Sequence, residues 1–142
     1  MICLTRSQSE YLKAIYQVSL IGDIKVTKIA DHLNYSKPSV VRALKNLKKL
    51  TLIEYDQKIK LTEKGYAYAL SIVETDQVLF NFLTDILKVD ARSAKEDVAN
   101  LKAYVSCQTI DKLERYIYKI NKKEQPKKMK MICQYHKCNI CK

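Results

Sequence analysis

Four side chains that bind soft metal ions lie close together near the end of the 142-residue sequence. They are spaced as Cys-x2-His-x-Cys-x2-Cys and comprise Cys133, His136, Cys138 and Cys141. Short Cys-x2-Cys pairs are a common way for a chain to hold Zn²⁺ or an iron–sulfur cluster. Only one residue separates the imidazole from the next thiol, so a tetrahedral site for one ion would be crowded. A cluster completed by another thiol, that of Cys107 or Cys3, is the alternative.

The same thiols admit two further interpretations. Flanking lysines favour the thiolate, which is the form that reacts with oxidants, so the segment is also suited to respond to thiol oxidation. A basic tail with incidental thiols is the simplest alternative. A disulfide framework is not expected from five cysteines in a cytosolic chain.

A second set of chemically active side chains is cationic and lies between Ser36 and Leu50. Its apolar residues recur at helical spacing on one face, and its other face carries four lysines together with Arg42. Ser36 is suited to cap the first turn, and Pro38 lies early enough to cost no helical hydrogen bond. One face of this helix is therefore expected to pack on a core and the other to contact an anion.

The neighbouring elements predict how this helix is presented. Residues 26–33 form a short amphipathic helix, and only Asn34 and Tyr35 separate it from the next one, which is the spacing of a helix-turn-helix. Two strand-like runs, at 52–56 and 58–62, follow around a polar turn. This order is that of a winged helix, whose second helix enters the major groove of DNA. A basic, solvated helix on an ordinary small domain is the alternative.

Position within this arrangement assigns the residues that contact DNA. Base edges are expected to be reached from the first turns of the helix, which hold Lys37, Pro38, Ser39 and Arg42. Phosphates are expected to be contacted by hydroxyl and ammonium groups around them, namely Thr27, Lys28, Lys45, Lys49, Lys58 and Lys60. Tyr35 either stacks on the DNA backbone or packs beneath the helix.

Helices are expected through most of the remaining chain. A Ser7-x-x-Glu10 capping box predicts a first helix that ends near Gly22, and residues 23–25 are a candidate third strand for the hairpin. A long helix is expected from about residue 62 to residue 87. A second capping box, Ser93-x-x-Glu96, introduces a helix that extends to residue 105, and the last helix is expected over residues 109–120.

Composition and charge indicate the class of protein. Two glycines and two prolines in a chain that is 47% hydrophobic predict a mainly α-helical protein. Residues 1–61 carry a net charge of +6 and residues 122–142 another +6, whereas residues 62–121 carry −1. We expect a winged-helix DNA-binding domain (1–65), a helical dimerisation domain (66–121) and a basic Cys-rich tail (122–142). A two-fold dimer would place two recognition helices on a palindromic operator.

Several classes of protein are disfavoured. No run approaches the roughly 18 apolar residues of a membrane span, and a secretory signal is lacking, so we expect a cytoplasmic protein without a membrane partner. The sequence has no Gly-rich phosphate loop or nucleophile elbow, and only His32 and His136 as possible general bases. We expect no enzyme activity and no small organic substrate. A thiol-based redox protein and an adaptor that does not bind DNA are the alternatives to a regulator.

Several stretches taken together resemble the diphtheria-toxin-repressor and manganese-transport-regulator family. They are SEYLKAIYQV, VTKIADHLNYSKPSVVRALKNLKKLTLIEYD, KLTEKGYAYA and TIDKLERYI, and the likeness covers about residues 7–120. The family consists of metal-dependent bacterial repressors, which are homodimers of winged-helix heads joined by a helical domain. The resemblance implies a repressor of metal or iron homeostasis that binds double-stranded DNA. A regulator without ligand control is the alternative.

The resemblance also implies where the metal ligands of the family would fall. The carried-over positions are Glu10 and Lys13 in the first helix, Asp76 in the long helix, and Ala99, Lys102 and Ala103 in the helix after it. Only Glu10 and Asp76 offer oxygen ligands, since a protonated lysine cannot ligate. We therefore expect no manganese or iron site of the family type. The alternatives to metal ligation are that Glu10 caps a helix and that Asp76 forms an ion pair with Lys102 or Lys13.

Overall fold

The computed structural model describes residues 4–121, which form two compact units: a head, residues 4–72, and a helical unit, residues 73–121. The elements are α1 (Arg6–Ser19), α2 (Val26–Leu33), α3 (Lys37–Lys49), β1 (Ile53–Tyr55), β2 (Ile59–Leu61), α4 (Glu63–Asn81), a π-helical turn (Phe82–Ile86), α5 (Ala91–Leu101) and α6 (Cys107–Asn121). The predicted fold class, a mainly helical protein that begins with a winged helix, is confirmed. No helix within residues 4–121 is long and apolar enough to cross a membrane.

Helix α1 begins earlier than the sequence predicted. Thr5 is its N-cap: the Thr5 Oγ1 accepts from the Gln8 amide at 3.2 Å, and the Thr5 amide donates to the Gln8 Oε1 at 2.8 Å. The prediction of a Ser7-x-x-Glu10 capping box was therefore wrong. Thr5 and Gln8 form the same reciprocal pair two residues earlier, and this leaves Glu10 inside the helix rather than at its cap.

The three helices of the head bury one apolar face each against a shared core. Leu12 and Ile15 of α1, Ile29 of α2, and Leu44 and Leu47 of α3 are all at most 1% exposed. They recur at three- and four-residue intervals, so each helix contributes one stripe of side chains. The opposite face of α3 is left to solvent.

The link between α2 and α3 is as short as predicted, and Asn34 makes it possible. Asn34 has φ +55° and ψ +44°, a left-handed conformation that asparagine tolerates better than most residues. The Tyr35 amide then donates to the Ala30 carbonyl at 3.0 Å, which closes the end of α2. The chain can therefore turn and enter α3 within two residues.

The hairpin has two strands and not three. Ile53 pairs with Leu61 and Tyr55 pairs with Ile59 in an antiparallel register, as the two predicted runs require. The prediction of a third strand at residues 23–25 was wrong, because the described residues form a sheet of β1 and β2 alone. Lys25 is extended, but it serves as the N-cap of α2, and an open groove separates this segment from the wing.

The helical unit is built around an apolar core to which all of its helices contribute. Its core contains Val78, Leu79, Leu83, Ala94, Val98, Ile110 and Ile117. The long helix extends to residue 86 as predicted, but its last five residues form a π-helical turn, closed by a hydrogen bond from the Leu87 amide to the Phe82 carbonyl at 3.1 Å. Such a turn accommodates one more residue than an α-helical turn.

Both remaining helices begin at caps that the sequence analysis did not identify. The Asp90 carboxylate accepts from the amides of Arg92 at 3.1 Å and Ser93 at 3.0 Å, so the prediction of a Ser93-x-x-Glu96 capping box was wrong. This hydrogen bonding holds the pKa of Asp90 below its usual value. Ser106 caps α6 by accepting from the Thr109 amide at 3.2 Å, and the helix therefore begins at the buried Cys107.

Candidate nucleic-acid interface

The start of α3 combines a defined cap with an exposed, positively charged surface. Ser36 Oγ accepts from the Ser39 amide at 3.4 Å and lies 2.9 Å from Ser39 Oγ, and Pro38 occupies the first turn. Lys37, Pro38 and Arg42 are exposed and Ser39 is half-buried. The first turns of α3 therefore present hydroxyl, ammonium and guanidinium donors, the groups that bind phosphates and base edges.

Further cations surround these first turns. Lys45 and Lys49 continue along the exposed side of α3, while Lys28 extends from α2 and Lys58 and Lys60 from the hairpin. All five are exposed, and Thr27 at the start of α2 is exposed as well. Lys25, Lys58 and Lys60 also line the open groove between the wing and the segment before α2. The ten residues assigned to DNA in the sequence analysis all lie in the head, and nine of them are exposed.

Two lysines of the head have a structural role instead. Lys48 Nζ donates to the Asp56 carboxylate and, at 3.1 Å, to the Tyr55 carbonyl, so it ties the end of α3 to the turn of the wing. Lys64 Nζ lies 3.3 Å from Thr51 Oγ1 and fastens the start of α4 to the loop before β1. Sequence reasoning missed both roles, because neither partner lies at a helical or strand spacing from its lysine.

Tyr35 contacts two residues of α1, although it remains 46% exposed. Its ring centroid lies 5.8 Å from that of Tyr11, and its hydroxyl donates to Glu10 Oε2 at 3.4 Å. Glu10 also pairs with Arg6 at 3.4 Å. Burial raises the pKa of Tyr11, and Tyr35 adds to this effect, whereas the nearby Arg42 guanidinium opposes it. Glu10 thus stabilises the link instead of acting as the cap that the sequence analysis offered.

The candidate metal ligands of the sequence have different surroundings in the structure. Within residues 4–121 there is no group of three or more His, Cys, Asp or Glu side chains that could hold a metal ion. Asp76 pairs with Lys102, one of the two ion-pair partners offered as an alternative to metal ligation: Lys102 Nζ lies 3.3 Å from Asp76 Oδ1. Cys107 is buried in the core of the helical unit. Cys133, His136, Cys138 and Cys141 lie outside the described residues.

Comparison with known proteins identifies both units. Residues 3–61 match the N-terminal DNA-binding domain of the iron-dependent repressors, and residues 62–130 match their metal-binding and dimerisation domain. The chain belongs to the iron-dependent repressor family. The family resemblance noted in the sequence is thereby confirmed, and the relatives are transcriptional regulators rather than enzymes.

Individual relatives differ in how much of their length the chain spans. An uncharacterized HTH-type transcriptional regulator of Methanocaldococcus jannaschii is 28% identical over 84% of this chain and 99% of its own length. The transcriptional regulator MntR of Escherichia coli O6:H1 is 30% identical over 70% of this chain and 64% of its own length. The structure of the manganese regulator SloR superimposes with a TM-score of 0.70 at 27% identity, covering 80% of this chain and 54% of SloR.

The second family domain is described as a metal-binding and dimerisation domain. The side chains of the helical unit do not fit the metal-binding part of this description. Two of the carried-over ligand positions are alanines, and a third holds Lys102, whose ammonium group is already paired with Asp76. An ammonium group and a methyl group donate no electron pair to a metal ion. The iron-dependent repressor fold is therefore present here without the donor set that its metal site requires in the described residues.

Proposed function

We propose that this protein is a homodimeric transcriptional repressor that binds duplex DNA through helix α3. The observation that carries the proposal is the first part of α3, where Lys37, Arg42 and Lys45 are exposed while the opposite face of the same helix is buried. Within a family-matched DNA-binding domain, this helix is the one expected to enter the major groove.

The two kinds of contact have different consequences. Arg42, Lys37 and Ser39 lie early in α3, where side chains reach base edges, so they are proposed to set the sequence that is bound. Lys28, Lys45, Lys49, Lys58 and Lys60 are proposed to contact phosphates, together with Thr27, while Pro38 lies among the residues of the first turn that face the bases. Phosphate contacts release counterions, so affinity should fall steeply as salt is raised.

Dimerisation is proposed to occur through the helical unit. Its helix α6 carries an apolar stripe, Ile110 and Ile117, that is buried, and a second stripe, Tyr116 and Ile120, that is about half exposed. A helix that is apolar on two sides generally packs on two sides. The second stripe is therefore proposed to meet another copy, which would place two heads on a palindromic site.

The sensor is proposed to lie in the tail. Cys133, Cys138 and Cys141 with His136 form a soft ligand set, suited to Zn²⁺ or, with a further thiol such as Cys3, to an iron–sulfur cluster. Metal analysis and an absorption spectrum of protein purified without oxygen test this proposal. Brown protein that loses colour on Cys138→Ser supports a cluster, and tightly bound colourless zinc supports a zinc site. Metal-free protein whose DNA affinity is unchanged by thiol oxidation would refute a tail sensor.

DNA binding itself is tested by selection. The full chain is incubated with a randomised duplex library, the enriched sequence is identified, and its dissociation constant is measured at several salt concentrations. We expect a palindromic consensus and a log–log salt slope of about −9, since five lysines on each of two subunits are proposed to contact phosphates. No enrichment and a flat salt dependence would instead favour an adaptor that does not bind DNA.

A further inference from the structure

A charged side chain occupies an inward-facing position at the end of α5. Ala94 and Val98 are buried in the core of the helical unit, and Lys102 follows them at the same four-residue spacing. Residues at this spacing lie on one side of a helix. The Lys102 side chain is only 17% exposed, although lysine is among the residues that are least often buried. A lysine in this position requires a partner.

The partner is a carboxylate on α4 that is equally shielded from solvent. Asp76 lies one turn before the buried Leu79, and its side chain is 13% exposed. Lys102 Nζ donates a hydrogen bond to Asp76 Oδ2 at 3.5 Å and lies within ion-pair distance of Asp76 Oδ1, at 3.3 Å. The pair links the end of α5 to α4 next to the apolar core. A charge left alone at such a site would strongly disfavour folding.

The Asp76 carboxylate thus lies beside a positive charge in the helical unit, and the family domain that this unit matches is named for binding metal. Lys102 supplies that charge, and the neighbouring Ala99 and Ala103 have no side-chain atoms that could bind a metal ion. We propose that the Lys102 ammonium is the resident cation of the helical unit. Helix α5 then packs on α4 without a divalent metal, and Mn²⁺ does not regulate the protein through this unit.

The consequence for regulation rests on the proposed function. If the protein represses transcription, its helical unit is held permanently in the packed form, and control by metal or redox state is left to the tail. The inference about Lys102 itself can be tested without DNA, by measuring stability and metal binding. A failure to bind DNA would refute the proposed function and leave the stability results unaffected.

The first measurement uses the full-length wild-type chain, stripped with EDTA and dialysed. Mn²⁺ is the probe because it prefers oxygen ligands, so the tail thiols compete little for it. Thermal unfolding is followed with and without 1 mM MnCl₂, and bound Mn²⁺ is counted by electron paramagnetic resonance. We expect Tm to change by less than about 1 °C, because an ion that does not bind the native state does not stabilise it.

Three variants test the role of the ammonium group. Lys102→Met removes it and should lower Tm with no response to Mn²⁺. Lys102→Glu places a second carboxylate beside Asp76, so Tm should fall further and recover by about 3 °C or more in Mn²⁺. Lys95→Glu makes the same charge change at an exposed position of the same helix and is the matched control. It should change Tm little and show no response to Mn²⁺.

Two results would overturn the proposal. The first is a wild-type Tm that rises in Mn²⁺ by an amount that Asp76→Asn abolishes, since Asp76 would then be a metal ligand. The second is a Lys102→Met variant that is as stable as wild type. This result would show that the Lys102 ammonium does not offset the negative charge of Asp76. Neither result depends on Lys102→Glu, so the proposal remains testable if that variant does not fold.

Discussion

At the scale of single residues, the head separates lysines that hold the fold from cations that remain available to a ligand. Lys48 is bound to Asp56 and to the Tyr55 carbonyl, and Lys64 is bound near Thr51, whereas Arg42 is exposed on the outer side of α3. Net charge alone does not make this distinction. The distinction depends on the position of the wing relative to α3, which places Asp56 next to Lys48.

Gly65 is a residue at which almost any side chain should be costly. A Cβ atom at this position would lie 1.7 Å from the Leu52 carbonyl oxygen, a backbone atom that a rotamer change cannot move. We predict that Gly65→Ala lowers the free energy of unfolding by about 3 kcal/mol, at the upper end of overpacking effects. Urea unfolding measures it, with Ser7→Ala, an exposed site, as a control. An unchanged midpoint would show that α4 does not begin this close to Leu52.

Glu114 is the residue that should give the helical unit a dependence on pH. Burial raises its pKa, the neighbouring Glu74 and Asp111 raise it further, and Arg115 opposes them. Because the folded state holds the proton more tightly than the unfolded state, this group favours folding below the usual Glu pKa of about 4.3, and the benefit is lost as the pH rises through the higher folded pKa.

Glu114→Gln should therefore raise Tm at pH 7.5 and change it much less at pH 4.5. Glu96→Gln, at an exposed carboxylate of α5, is the matched control and should have little effect at either pH. Thermal unfolding at the two pH values makes the comparison. A Glu114→Gln chain that is less stable than wild type at pH 7.5 would contradict the assignment, because the ionised carboxylate would then be a favourable group.

At the scale of elements, the helix-turn-helix depends on the left-handed residue between α2 and α3. Asn34 has φ +55°, a conformation that costs a residue with an ordinary Cβ about 1 kcal/mol and costs glycine nothing. We predict that Asn34→Ala lowers the free energy of unfolding by about that amount, while Asn34→Gly stays within about 0.5 kcal/mol of wild type. Equal effects of the two substitutions would show that the conformation of the link is not what Asn34 provides.

Much of the element order was accessible from sequence, and the errors were local. The helices were predicted from their amphipathic period, and the two strand-like runs pair in the expected register. Both patterns could be recognised because they repeat along the chain. Helix starts were less certain. Thr5 and Gln8 compete with Ser7 and Glu10 for the same kind of cap, and Asp90 competes with Ser93. Neighbouring polar residues offer nearly equal local chemistry, so packing of the helix decides between them.

The residues of the candidate DNA-binding site were likewise predictable in part. The exposed face of α3 follows from its period, and the ion pair of Asp76 with Lys102 was one of the alternatives that the family resemblance left open. The anchoring of Lys48 by Asp56 and the contact of Tyr35 with Glu10 join residues 8 and 25 positions apart, and no periodic pattern reports contacts of this kind. The cysteine tail stays a prediction, since it lies outside the described residues.

At the scale of the whole molecule, the proposed function requires a dimer. The outer stripe of α6, Tyr116 and Ile120, is 49% and 47% exposed, and it runs along the helix at four-residue spacing. We predict that Tyr116→Glu combined with Ile120→Glu raises the dimer dissociation constant about tenfold or more, equivalent to roughly 1.4 kcal/mol. Sedimentation equilibrium measures the constant. Lys112→Glu, an exposed polar position of the same helix, is the control. An unchanged dimer would mean that this stripe is not the interface.

Binding of duplex DNA by the cations at the start of α3 is what the proposed function requires above all. The most direct test is the affinity of the chain carrying both Lys37→Ala and Arg42→Ala for the selected duplex, measured by fluorescence anisotropy at two salt concentrations. We predict a loss of about 100-fold, since a specific base contact contributes on the order of 1–3 kcal/mol, together with a shallower salt slope. Lys95→Ala with Lys112→Ala removes the same charge from the helical unit and should change affinity less than about threefold. Equal affinities for the two double variants would contradict the account.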